Sequence, residues 1–113
     1  MVTRERKVGR VTIIDITSVG RLNEQDEGRI ERKVRSLLDR GEKFILLNLE
    51  GVPSIKRGVL GEMAYAFIQT MRERGNLKLL KPQKRIRDLL NQTKLFAVFE
   101  IFEDETEAVA SFR

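Results

Sequence analysis

The sequence predicts an α/β fold: a mixed, mostly parallel sheet of about five strands with four flanking helices. Short β-branched or apolar runs alternate along the chain with stretches whose apolar residues recur at helical spacing. One run, residues 44–47, consists of four apolar residues, as in strands that are covered on both faces. The resulting order, β-β-α-β-α-β-α-β-α, favours parallel strands joined by right-handed crossovers.

A β-hairpin is predicted at the start of the chain. Residues 11–16 read VTIIDI and are rich in β-branched side chains, which favour strands. A two-residue turn at Gly9 and Arg10 would pair this strand with residues 2–8. The hairpin would therefore add an antiparallel edge to the sheet.

The first helix is predicted between residues 21 and 41. Asn23 is the expected N-cap, because it precedes a stretch rich in acids that includes Asp26. Gly41 is expected just beyond the helix end, where a left-handed backbone is common. The inward stripe at helical spacing consists of Ile30, Val34, Leu37 and Leu38.

Two further strands are predicted at about 43–49 and 76–80. A second helix lies between them and is expected to end at Gly75. The side chains of this helix that are predicted to face the core are Leu60, Met63, Ala64, Phe67 and Met71.

The last third of the chain predicts a helix, a strand and a short helix. Pro82 would open the third helix in its first turn, and a strand at about 95–101 would follow. Asp104 would cap the last helix, with Glu107 three residues later. The apolar residues of these helices that are expected in the core are Ile86, Leu89, Leu90, Ala108, Val109 and Phe112.

Composition limits the classes of function. The 113 residues suit a single domain, 1–113. The chain has no Cys and no His, which excludes disulfides, Cys–His pairs, His-based triads and most zinc sites. We therefore expect neither enzymatic activity nor a cofactor.

No apolar run approaches the ~20 residues of a membrane span. Residues 1–10 lack the apolar block of a signal peptide. We therefore expect a cytoplasmic protein.

The net charge of +5 is a mild excess on a mixed-sign surface, so we do not expect nucleic-acid binding. One basic cluster precedes and enters the third helix, but no exposed aromatic side chains are expected to interleave with it. We interpret it as a solvated face; its members are Lys81, Lys84, Arg85 and Arg87.

The segment VPSIKRGVLG, residues 52–61, joins the predicted central strand to the second helix. Lys56 and Arg57 stand at the start of this helix, where cations oppose the helix dipole. Free N–H groups at a helix start bind anions, and two cations would strengthen such a site. The turn could thus contact an anion or an acidic partner; alternatively, it is a solvated turn in which Gly58 supplies backbone freedom.

Over nearly its whole length the chain resembles the STAS domain, the fold of bacterial anti-sigma factor antagonists and of the cytoplasmic tails of sulphate transporters. Residues 19–52 resemble the family's opening, with a Gly-x-Leu-Asp type turn, a helix and a Leu-Asn-Leu strand. Residues 89–112 resemble its ending. The resemblance implies a partner-switching regulator that binds an anti-sigma factor or a serine kinase of the histidine-kinase-like ATPase class.

The central turn departs from the family pattern. Aligned without a gap, Gly58 falls on the family's phosphoacceptor, Lys56 on an acid and Arg57 on the preceding Ser. Asn23 replaces the Asp of the opening turn. The resemblance then implies partner binding without phosphorylation at the usual position. Ser54, the one hydroxyl residue in the turn, is either a displaced acceptor or a residue of the strand end.

The contact surface implied by the resemblance consists of Asn23, Ser54, Ile55, Lys56, Arg57, Gly58 and Leu60. The alternative function is a STAS domain that senses a small anion or a nucleotide through the same turn.

Overall fold

A five-stranded sheet runs through the computed structural model, which describes all 113 residues. The strands lie side by side in chain order. The first pair is antiparallel and the other three pairs are parallel, which confirms the predicted mixed sheet. The strands are β1 (Val2–Val8), β2 (Val11–Thr17), β3 (Phe44–Gly51), β4 (Asn76–Leu80) and β5 (Ile101–Phe102).

Four α-helices flank the sheet: α1 (Arg29–Asp39), α2 (Arg57–Arg72), α3 (Lys84–Thr93) and α4 (Glu105–Ala110). The first three share one apolar core cluster with one face of the sheet. The short α4 packs on the other face over a smaller cluster. No helix is both long and apolar enough to cross a bilayer.

The central strand β3 is buried on both faces, as its apolar run predicts. Leu47 belongs to the larger cluster and Leu46 to the smaller one, and both are fully buried. Phe44 is only partly buried, which corrects the expectation for the start of the run. It lies at the end of the sheet, with its ring 4.7 Å from the Arg10 guanidinium.

The segment before α1 is not one continuous helix with Asn23 as its cap, as the sequence suggested. Asn23 instead caps a single 3₁₀ turn, Glu24–Asp26. The chain then bends at Gly28, whose φ of 86° is left-handed, and α1 begins at Arg29. The end of α1 matches the prediction, because Gly41 has a φ of 81°.

The second and third helices differ from the prediction at their ends. Arg74 takes the left-handed conformation after α2, and Gly75 is required because a Cβ there would lie 2.1 Å from the Lys43 carbonyl oxygen. Met71 faces outward and is 47% exposed. Pro82 precedes the third helix without opening it, since α3 begins at Lys84.

The predicted strand at about 95–101 is wrong, because β5 contains only Ile101 and Phe102. Residues Leu95–Ala97 form a 3₁₀ turn that follows a left-handed Lys94. Leu95 and Phe99, one helical turn apart, point into the larger cluster, so the apolar run has a helical and not an extended period here.

Replacing Leu46 by Asp should unfold the domain, because this side chain is fully enclosed and an unpaired buried charge costs several kcal/mol. The isosteric control is Leu46→Met, for which we expect a loss of less than about 1.5 kcal/mol. Circular dichroism melts measure both. A cooperative melt of Leu46→Asp near the wild-type temperature would contradict the fold.

Candidate functional site

The turn after β3 is held against the loop after β2 by a short parallel bridge between Leu22 and Ile55. The N–H of Leu22 donates to the Ser54 carbonyl at 3.0 Å, and the N–H of Lys56 donates to the Leu22 carbonyl at 2.9 Å. Two segments more than 30 residues apart in sequence therefore form one surface. Lys56 is the N-cap residue of α2, and its side chain makes no capping hydrogen bond.

Asn23 fixes the shape of the neighbouring loop. Its side-chain oxygen accepts from the N–H of Gln25 at 2.9 Å, while the Asp26 carboxylate accepts from the N–H of Asn23 at 3.0 Å. This reciprocal pair builds the 3₁₀ turn and directs Glu24 and Glu27 toward the start of α2.

The two basic residues of the turn have different surroundings. Lys56 forms an ion pair with Glu24. Arg57 is exposed, contacts no carboxylate, and donates to the Gln92 side-chain oxygen at 3.3 Å. The carboxylate of Glu27 lies beside Gly58, where an added Cβ would be 2.6 Å from its Oε1. This end of α2 therefore carries one cation with an internal counter-charge and one that is free.

The backbone at the start of α2 leaves donors unpaired. The N–H groups of Val59 and Leu60 donate to the Lys56 carbonyl, whereas those of Arg57 and Gly58 have no acceptor within the protein. The start of a helix carries partial positive charge, so the two cations there are unfavourable. The nearby carboxylates of Glu24 and Glu27 offset this effect. Acids from another segment thus replace the N-terminal acid that α2 lacks.

Five of the seven predicted contact residues reach the surface: Asn23, Ser54, Lys56, Arg57 and Gly58. The other two, Ile55 and Leu60, are 5% and 1% exposed, so they support the surface from below.

An open depression of about 500 Å³ lies at this turn. Its lining includes five residues that the sequence did not single out for this surface, and no linear pattern connects them to the turn: Arg21, Glu24, Glu27, Leu89 and Gln92.

The start of α1 is joined to α2 by a single carboxylate. Glu62 accepts from the N–H of Gly28 at 2.7 Å and from the N–H of Glu31 at 2.9 Å. A side chain of α2 thus caps α1, which has no cap of its own because its N-cap residue is Gly. The contact fixes α2 relative to the loop that carries Glu24 and Glu27.

A second polar cluster lies on the opposite face of the sheet, where α4 leaves the strands uncovered. Asp15 in β2 accepts from Arg6 at 2.6 and 3.0 Å, from Asn48 at 2.8 Å and from Arg4 at 3.2 Å. Arg6 also donates to Glu105 in α4 at 2.7 Å. The cluster ties the first turn of α4 to β1 and β2, and sequence analysis did not identify it.

Hydrogen bonds set the protonation of this cluster. Burial raises the pKa of Asp15, but hydrogen bonds from Arg6, Asn48 and Arg4 outweigh it and hold the pKa at about 2. The hydrogen bond from Arg6 likewise lowers the pKa of Glu105. Both carboxylates are therefore charged at neutral pH. No group of three or more acidic side chains is arranged to hold a metal ion.

The family model described as STAS domain matches residues 5–108. No curated protein matches the chain significantly in sequence.

Three solved structures have the same fold at low sequence identity. Protein TM1081 of Thermotoga maritima gives a TM-score of 0.84 at 23% identity, covering 96% of this chain and 92% of its own. An anti-sigma factor antagonist of Mycobacterium paratuberculosis gives 0.84 at 13%, covering 97% and 92%. The phosphorylated cell fate determinant SpoIIAA of Bacillus gives 0.73 at 19%, covering 96% and 97%. At these identities the likeness establishes the fold alone.

Asp15→Asn should destabilise the domain at neutral pH by about 1 kcal/mol, since the pKa difference sets an upper value of roughly 2 kcal/mol and solvent screens the open face. The folded pKa of Asp15 lies below the unfolded value of about 3.9. The contribution is therefore present above about pH 4 and is lost as the pH falls toward 2.

Urea melts from pH 7 to pH 2 should show wild type and Asp15→Asn converging at low pH. The matched control is Asp88→Asn, which removes an exposed ion pair with Lys84 and should change little. A pH-independent difference between wild type and Asp15→Asn would contradict the ionic origin of the stabilisation.

Proposed function

The chain belongs to the STAS domain family, and we propose that it is a protein-binding regulatory module that resembles an anti-sigma factor antagonist. Its partner would be an anti-sigma factor or a serine kinase of the histidine-kinase-like ATPase class. The family match supports this proposal, as do the two structures of the same fold that are anti-sigma factor antagonists, from Mycobacterium paratuberculosis and Bacillus.

The proposal rests mainly on the surface that forms where the Leu22–Ile55 bridge joins the two loops. It presents a free guanidinium on Arg57 and unpaired backbone donors at the start of α2, around a shallow open depression. Such a surface is suited to an extended contact with another protein, whose acidic groups would pair with Arg57. We propose that Asn23, Ser54, Lys56, Arg57 and Gly58 make this contact.

We further propose that binding does not depend on phosphorylation of this turn. Gly58, which stands at the family's acceptor position, has no hydroxyl group that could receive a phosphate. Control of the module would then come from expression level, from a second component or from a ligand.

The alternative is a domain that senses a small anion or a nucleotide. The free N–H groups at the start of α2 favour it. Glu24 already neutralises Lys56, however, and Glu27 places a second negative charge at the same helix end. A small anion must compete with both carboxylates, whereas a protein can position its acids over Arg57 alone. We therefore favour the protein partner.

The phosphorylation proposal is tested with the serine kinases of the source genome and ATP, by intact mass and by mapping of residues 44–72. We expect an unmodified wild type. The matched variant Gly58→Ser restores a hydroxyl, and the flexible Glu27 side chain can move to admit the new Cβ. We expect one phosphate on this variant. A phosphate on Ser54 of wild type would instead revive a switch with a displaced acceptor.

The binding surface is tested by Arg57→Glu, which reverses the free cation and should weaken partner binding by about tenfold or more. Arg10→Glu serves as the control, because Arg10 is exposed at the hairpin tip, at the other end of the sheet. Isothermal calorimetry against the purified anti-sigma factors and ATPase-type kinases gives both affinities. Equal losses for the two variants would refute a localised contact.

For anion sensing, the measurement is the melting temperature in millimolar phosphate at constant ionic strength, for wild type and for Lys56→Ala/Arg57→Ala. We expect equal responses, because Glu24 and Glu27 oppose the bound anion. A larger rise for wild type would establish an anion site and favour the alternative function.

A further inference from the structure

The outer face of α2 exposes three large apolar side chains. Tyr65, Ile68 and Met71 are 51%, 46% and 47% exposed, and they follow one another at three-residue intervals. Residues at this spacing form one continuous ridge along a helix. No other α-helix exposes a large hydrophobic side chain.

The segment after α3 adds to this surface. Phe96 is 52% exposed and Val98 37% exposed. Their neighbour Phe99 packs edge-on against Phe67 of α2, with ring centroids 5.5 Å apart. This contact brings the exposed pair to the α2 side of the molecule. Five of the eight exposed large hydrophobic residues thus belong to α2 or to this neighbouring segment.

Cations without an ion-pair partner lie near both ends of α2. Glu62, the one acid within α2, caps α1, and Glu73, which follows the helix, forms an ion pair with Arg35, so both carboxylates are engaged by α1. The exposed cations Arg57, Arg72, Arg74 and Lys94, by contrast, have no carboxylate partner. The ridge is therefore bordered by free positive charge at both ends of α2.

From the ridge and its charges, we infer that the outer face of α2 docks an acidic amphipathic helix of a partner protein. The inference rests on the proposed function and adds the chemical class of the partner's contacting segment. An apolar stripe on that helix would pack along the Tyr65–Ile68–Met71 ridge, and flanking carboxylates would meet Arg57 and Arg72. A second copy of this chain fits less well, because paired α2 helices would bring unpaired cations together while Glu62 and Glu73 of each copy are engaged by its own α1.

The direct test titrates the labelled protein with a synthetic amphipathic helical peptide of about the length of α2, which carries a Leu stripe flanked by Glu. The control peptide carries Lys in place of every Glu. Amide shifts should map to residues 64–72 and 94–98, and the Glu peptide should bind about tenfold or more tightly than the Lys peptide. Ile68→Glu should lose at least as much affinity, whereas Lys84→Glu on the exposed face of α3 should not.

Three outcomes would overturn the inference: no shifts at these residues, equal binding of both peptides, or binding only to vesicles of anionic phospholipid, which would indicate a membrane surface. Affinity measurements with the natural partner distinguish a failure of this inference from a failure of the proposed function. Wild-type affinity of Ile68→Glu together with loss in Arg57→Glu would defeat the docked helix and retain the module. Peptide binding without any binding of anti-sigma factors or ATPase-type kinases would retain the docked helix and defeat that partner class.

Discussion

Burial of β3 on both faces is the constraint on which the rest of the structure depends. Its side chains alternate between the two core clusters, so a shift by one residue would move every one of them to the wrong face. This fixed register determines where the strand ends and where the chain passes to Val52 and the turn before α2. Because the turn begins at a buried anchor, Ile55 can pair with Leu22 and hold a second loop beside it.

Charge at the turn is balanced from outside the turn itself. A helix that starts with two cations and no acid has an unfavourable dipole interaction. The 3₁₀ turn shaped by Asn23 supplies Glu24 to Lys56 and places Glu27 beside Gly58. The result is a surface with mixed charge at one edge and free Arg57 at the other. This polarity gives a protein partner an orientation, which a small anion would not require.

The two faces of the sheet are covered unequally, and they are stabilised by different kinds of contact. Three helices cover one face with a continuous apolar core. The six-residue α4 covers only part of the other face, and an ion cluster centred on Asp15 occupies the open remainder. Arg6 joins this cluster to Glu105, while Lys78 donates to Ser111 at 2.8 Å. Polar contacts at both ends of α4 thus help to hold this helix on the sheet, where it buries little apolar area.

The sequence by itself determined the alternation of strands and helices, the leading hairpin, the buried β3 and the left-handed Gly41, because local periodicity and turn chemistry carry this information. It also identified Lys56 and Arg57 at a helix start. Only the tertiary structure decided that Glu24 and Glu27 offset these cations, that Glu62 caps α1, and that Asp15 gathers Arg6 and Asn48. It also decided that Leu95 and Phe99 share a helical face where a strand was predicted. These contacts join residues that are distant in sequence, or they depend on which face of a segment a neighbouring element covers. A pattern along the sequence contains neither kind of information.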